Sequence, residues 1–225
     1  MEKALPPFTD LHTHLFSADP AVWAVRCFHQ QEKREEEQHA GPRSVGLHPW
    51  FLSPENLEED WEWLERRSLL PEVVAIGEAG LDRLQGPPLP FQEMVFKRQL
   101  RLAEARQKPL IVHCVRAWDE LERLLLTERP AVAVVVHGFQ KNEETMGRLL
   151  EAGAFFSFGA AILREGSTAE RTLRAVPAGR FFLETDDDQN PIQAIHERAA
   201  AIRGLDAGDL SLQLHENLKN IGIHG

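Results

Sequence analysis

Apolar residues along this chain fall in short blocks, separated by longer stretches in which charged and apolar positions recur with helical spacing. Eight blocks read as strands: Phe8 to His12, Val22 to Phe28, Ser44 to His48, Val73 to Glu78, Leu110 to Cys114, Val132 to His137, Ala154 to Phe158 and Phe181 to Thr185. Several are almost entirely Val, Ile, Leu or Ala, as in strands covered on both faces. Helical patterns fit Phe91 to Gln107, Trp118 to Glu128 and Glu143 to Ala152, the last with Gly153 as its stop. Ser53-Pro54 reads as a capping hydroxyl followed by proline at a first helical position, with Trp61, Trp63 and Leu64 spaced to face a sheet. Pro191 to Ile221 reads as two helices broken near Gly204 to Gly208.

Strand and helix in alternation predict a parallel sheet, and eight repeats predict a TIM-type (β/α)8 barrel. One connection departs from the ideal. Between His14 and Val22 the chain is too short for a crossover helix, so a regular first helix is not expected. The run Gln30 to Gln38 is dense in Glu, Gln, Lys and Arg and reads as a solvated helix face or loop.

A length of 225 residues suits one domain over 1–225, and 43% hydrophobic with 27% charged residues is the usage of a globular chain. The longest apolar stretches, such as Ala131 to Val136, fall far short of the ~20 residues a bilayer helix needs, so no membrane partner is expected. Residues 1–7 lack the order of a secretory signal, which makes a cytoplasmic location the expectation. Cys27 and Cys114 each lie in an apolar run and read as buried free thiols. A formal net charge of −10 argues against a broad basic face that coats nucleic acid, while leaving room for a nucleic-acid substrate held through cations.

The chemistry lies in where histidines and carboxylates fall. His12, His14, His48, Glu78, His113, His137 and Asp186 all stand at or just past the end of a predicted strand. In a (β/α) barrel that is where active sites are assembled. His12-Thr13-His14 has the i, i+2 spacing that turns two imidazoles to one face of an extended segment. Glu78 follows a run of buried character, where a lone carboxylate is costly unless paired or bound to metal. His113 and His137 each close an apolar strand, and Asp186 opens the cluster Asp186-Asp187-Asp188. Four imidazoles and two carboxylates form an N/O ligand set suited to Zn, Mn or similar divalent ions, with groups enough for two. A pair of such ions would activate water near neutral pH. His29, His39, His196, His215 and His224 fall in helical or terminal stretches and read as surface residues.

These landmarks resemble the TatD-type metal-dependent deoxyribonucleases, a branch of the amidohydrolase-like barrels. The resemblance rests on Asp10-Leu11-His12-Thr13-His14-Leu15, Gly46-Leu47-His48-Pro49-Trp50, Ile76-Gly77-Glu78-Ala79-Gly80-Leu81-Asp82, Ile111-Val112-His113-Cys114, Val136-His137-Gly138-Phe139 and Leu183-Glu184-Thr185-Asp186, in family order. It implies that His12 and His14 hold one metal, His113 and His137 another, and Glu78 both. It also implies that Asp186 binds metal and handles the proton, and that His48 and Arg116 contact the substrate phosphate. The chain departs from the family pattern at Phe16, where an acidic residue is usual, and at Asp187-Asp188, where a small residue and proline are usual.

The expected activity is metal-dependent phosphodiester hydrolysis on DNA ends or short single strands. The alternative is hydrolysis of an amide, lactone or other small carbonyl or phosphoester substrate on the same barrel. Many such relatives use a carboxylated lysine as the shared ligand; here Glu78 holds that position, and Lys108 precedes its strand at the wrong end. A degenerate, non-enzymatic member is disfavoured by the complete ligand set, since crowded unpaired carboxylates are costly without a cation.

Overall fold

The computed structural model describes residues 7–224; residues 1–6, part of the stretch read above as lacking a secretory signal, lie outside them. Eight strands occur in sheet order equal to chain order: β1 (Phe8–Thr13), β2 (Val22–His29), β3 (Arg43–Gly46), β4 (Val73–Asp82), β5 (Leu110–Val115), β6 (Val134–Val136), β7 (Phe155–Phe158) and β8 (Phe181–Leu183). Helices α1 (Lys33–Gln38), α2 (Leu57–Arg67), α3 (Leu89–Arg106), α4 (Trp118–Glu128), α5 (Glu143–Glu151), α6 (Thr168–Ala175), α7 (Ile192–Arg203) and α8 (Ala207–Asn220) alternate with them from β2 onward. Among the described residues no helix joins β1 to β2, as the short spacing predicts. No helix there is long and apolar enough to cross a membrane.

By internal contacts the chain divides into two compact units, one of residues up to Arg26 together with His137 onward, the other Cys27–Val136. In the first, terminal unit, β7 pairs with β8 and β1 with β2, both parallel, and a bridge between Thr13 and Asp186 ties the end of β1 to the segment after β8. Its core is aromatic: Phe139, Phe156, Phe158, Phe181 and Phe182 are buried, with the Phe139 and Phe156 rings 4.5 Å apart. Helix starts are written in side chains, since Asn142, Ser167 and Asp206 each accept a hydrogen bond from an N–H of the first turn. Gly204 ends α7 at φ +67°, the left-handed stop its position predicts. α6 carries no strong sequence signal beyond Ser167 and was not among the expected helices. His196, expected at the surface, is only 4% exposed, because α7 turns it toward Phe8 and the Thr9 carbonyl.

In the middle unit, β3, β4, β5 and β6 pair in parallel over a core that includes Leu47, Leu64, Ile76, Leu81 and Phe96. Trp61, Trp63 and Leu64 are buried as their spacing predicts, but α2 begins later than expected. Ser53 bonds to Glu55 instead of capping the helix, so Pro54 belongs to the approach turn. The charged run before β3 also differs from its expected solvated character. Glu36 is fully buried between Arg43, whose Nε lies 2.7 Å away, and Arg67. A composition reading averages over such a run and misses the one carboxylate that two guanidinium groups make burial possible for. Both cysteines are buried thiols that form no disulfide.

Candidate metal centre

The terminal unit gathers four predicted ligands by zipping two chain segments together. The His14 N–H donates to the Asp186 carbonyl at 2.9 Å, and the Asp186 N–H donates to the His12 carbonyl at 2.9 Å. Pairing with β2 shifts register between Asp10 and Thr13, and such an irregularity re-aims the side chains it contains. Asp186 takes φ +56°, the left-handed conformation that Asp tolerates better than most residues. Its Oδ1 then lies 3.5 Å from His12 Nε2 and 3.7 Å from His14 Nε2. The His137 ring, carried just past β6, stands 4.4 Å from that of His12. Ligand atoms of His12, His137 and Asp186 all fall within 4.8 Å of one another.

The middle unit builds a second cluster around Glu78. The strand here does not end at Glu78, as the apolar run suggested, but continues to Asp82. Register against β5 slips between Ile76 and Ala79, so Gly77 and Glu78 form a bulge inside a long strand. Gly77 sits at φ +135°, and a Cβ there would meet the Ile111 carbonyl oxygen at 2.5 Å, which is why glycine precedes Glu78. Glu78 is 2% exposed. Its Oε2 lies 3.4 Å from His48 Nε2 and 3.5 Å from His113 Nδ1.

These separations test whether the donors fit a cation. Ligand atoms held at about 2.0–2.1 Å around a tetrahedral ion stand roughly 3.3–3.4 Å apart. From Asp186 Oδ1 to His12 and His14, and from Glu78 Oε2 to His113, the spacings of 3.5, 3.7 and 3.5 Å lie slightly above that edge and exceed ordinary hydrogen-bond lengths. The donor chemistry, imidazole nitrogen with carboxylate oxygen, suits the same ions.

Neighbouring groups assign different tasks to the two imidazoles beside Glu78. Asp82 Oδ2 stands 3.2 Å from His113 Nε2 and accepts from Trp50 Nε1 at 2.6 Å, while its Oδ1 accepts from the Leu84 N–H at 2.6 Å. Burial works to raise the Asp82 carboxyl, but the hydrogen bonds from Trp50, Leu84 and His113 outweigh it and hold it below its ordinary value. An ionised carboxylate only accepts, so His113 carries its proton on Nε2 and leaves the Nδ1 lone pair on the side of Glu78. His48 is the reverse case. Its Nδ1 accepts from the Trp50 N–H at 3.2 Å, which puts the ring proton on Nε2 and makes that atom a donor.

Several functional neighbours gave no sequence signal. Three buried glutamines clamp backbone beside the middle cluster, each accepting from an N–H and donating to the C=O of one residue: Gln30 on His48, Gln99 on Leu47 and Gln92 on Asp82. Gln30 thus leaves the run expected to be solvated. In the terminal unit Asp10 accepts from the Thr185 N–H at 3.0 Å and lies 2.7 Å from the Thr185 hydroxyl, which itself reaches Thr13 Oγ1. Burial pushes the Asp10 carboxyl up to about 7 against the lowering effect of those bonds. Glu184, fully buried, accepts from the Gly138 N–H at 2.5 Å with Oε1, 3.7 Å from His137 Nδ1. Such carboxylates could be found only by noting an acid at a position the strand pattern buries. Arg116 is exposed one residue past β5 with φ +52°.

The family model described as "TatD related DNase" matches residues 10–221. The chain is 30% identical over 199 residues to the "3'-5' ssDNA/RNA exonuclease TatD" of Erwinia tasmaniensis, a match covering 79% of this chain and 76% of that one. It is 32% identical over 154 residues to the "uncharacterized metal-dependent hydrolase YjjV" of Escherichia coli K12, covering 66% and 59%. With the "uncharacterized metal-dependent hydrolase YabD" of Bacillus subtilis it shares 30% identity over 64% of this chain and 57% of the relative, so the match spans little more than half of several relatives' length. The crystal structure of YjjV superposes with a TM-score of 0.80 at 21% identity, covering 97% of this chain and 98% of that one. At that identity the likeness speaks for the fold alone, an α/β barrel of eight parallel strands with helices. A family match spanning nearly the whole described length, on the segments that carry both clusters, places this chain in the TatD-related DNase family.

Proposed function

We propose that this chain is a divalent-metal-dependent phosphodiesterase that hydrolyses DNA ends or short single strands. The observation that carries the reading is the spacing of imidazole nitrogens about a carboxylate oxygen in each unit, His12 and His14 about Asp186 and His113 beside Glu78. His12, His14, His137 and Asp186 would hold an ion in the terminal unit, and Glu78 with His113 an ion in the middle unit. When bound, divalent ions such as Zn, Mn or Mg supply Lewis acidity to phosphoryl oxygens and lower the pKa of water toward about 7.

The protein's own groups do the rest. His48 Nε2, left as a donor by the bond at Nδ1, holds a non-bridging phosphate oxygen, and exposed Arg116 gives a second, charged contact. Asp186 takes the proton of the attacking water at its carboxylate. With a side chain 36% exposed, against 0% for His12, it can pass that proton to solvent. The relative named as an ssDNA/RNA exonuclease supports the substrate class.

Hydrolysis of an amide or lactone through a carboxylated lysine finds no support at Lys108. Its Nζ donates to the carbonyls of Ser68 and Leu70, at 2.6 and 3.1 Å. The test is incubation of metal-stripped protein with a labelled single-stranded DNA 10-mer, with and without added Mn, Mg or Zn. Shortening that requires metal supports the reading; turnover of a lactone or amide panel without DNA cleavage replaces it.

A further inference from the structure

Phe16, the residue that breaks the family pattern, is 72% exposed, the most exposed large apolar side chain among the described residues. An aromatic ring held in water beside a candidate centre offers a flat apolar face on which a ligand ring can stack. Phe16 stands on the wall of a cavity of about 320 Å³ within the terminal unit, a size at which small ligands are held. Leu15, Val22 and Ile192 supply further apolar wall, and the amide side chains of Asn190 and Gln193 line the same space. Thr13 and Thr185 also line it. These threonines lie directly beside His12, His14 and Asp186 in the chain, so the cavity opens next to the terminal cluster.

Charge decides what the cavity takes. Asp19 and Asp188 line it together with buried Asp10, and the two outer carboxylates disfavour a phosphate or carboxylate group. A neutral planar ring with donors and acceptors on its edge suits an aromatic face, apolar walls, and amide and carboxylate acceptors. Resting on the proposed function, we infer that this cavity is a nucleobase subsite, in which the base next to the scissile phosphate stacks on Phe16 while the phosphate stays at the candidate metal centre. Asn190 and Gln193 meet the edge of the base, with amides that offer both donor and acceptor and so tolerate different bases. A Gln193 bond to Asp19, at 2.8 Å, steadies the rim between the segment after β1 and α7.

The test uses the full chain and tetranucleotides carrying 2-aminopurine, whose fluorescence reports stacking, with a matched series in which one position is abasic. Binding is titrated with and without added Mn, and cleavage of the same oligonucleotides is followed separately. A base stacked on an aromatic side chain contributes about 1–3 kcal/mol, so Phe16→Ala should weaken binding of the base-bearing strand ~5- to 150-fold and abolish the stacking signal. It should leave the abasic strand's affinity unchanged, and Phe16→Trp should restore both readouts. Equal affinity of Phe16→Ala and the parent for base-bearing strands, with cleavage intact, overturns the subsite and leaves the nuclease reading standing. Failure to bind or cut any oligonucleotide overturns both.

Discussion

Asp82 and His113 meet at 3.2 Å between Oδ2 and Nε2, and that contact leaves the other ring nitrogen of His113 facing Glu78. A carboxylate behind a histidine fixes its tautomer and orientation, and loss of such a partner typically costs 10- to 100-fold in metal affinity. Asp82→Asn replaces one acceptor oxygen by a donor facing the Trp50 and His113 N–H groups. Its expected effect is a ~10- to 100-fold weaker metal affinity with a loss of about 1–3 kcal/mol in stability. Competition with a chromophoric chelator and urea denaturation measure the two. Unchanged metal affinity would remove Asp82 from the centre.

The backbone clamp of Gln30 on His48 gives a second expectation. With both partners buried, Gln30→Ala strands the His48 N–H, while the His48 carbonyl keeps its bond from the Phe51 N–H, at a cost of about 1–3 kcal/mol. Hydrogen exchange at the His48 amide should accelerate with the loss of its acceptor, while exchange at Leu47, held by Gln99, should change little. Equal acceleration at both amides would indicate general loosening instead of a local clamp.

A third expectation concerns acid. Burial holds the His196 imidazole below its ordinary value of 6.5, against the raising effect of its bond to Thr9 and with a small lowering effect from His215. In the unfolded chain the ring takes up a proton as pH falls through about 6.5, whereas in the folded chain it stays neutral to lower pH. The unfolded state therefore binds more protons below that point, and stability falls as pH falls. In metal-free protein the urea midpoint should drop from pH 7.5 to pH 5, and His196→Gln should reduce the size of that drop. The same drop in both proteins would assign the effect to other groups.

How far the sequence could be read depends on the range of the interactions concerned. All eight strands were visible as short β-rich runs, several of them almost entirely apolar, and the missing helix before β2 followed from length alone. The bulge at Gly77 and Glu78 was not visible: it comes from pairing with β5, a partner some thirty residues away in the chain, so the strand seemed to end where it only shifts register. Gln30 and Glu36 were misjudged for a related reason, since their burial depends on His48, Arg43 and Arg67 and not on their immediate neighbours. Candidate ligand residues could be picked out from strand position. Their grouping could not: His137 lies with His12 and Asp186, and His113 with Glu78 and His48.

The most direct measurement is metal content set against DNA cleavage in the parent and in Glu78→Gln, each stripped with chelator and reloaded with Mn or Zn. Glu78→Gln keeps the size of the side chain but removes the charge that two imidazoles surround. The account predicts up to two ions bound per parent chain, cleavage of single-stranded DNA that disappears on stripping and returns with metal, and a Glu78→Gln protein that stays folded while losing bound metal and most of its turnover. Full turnover in the stripped parent, or undiminished metal binding and cleavage in Glu78→Gln, would contradict it.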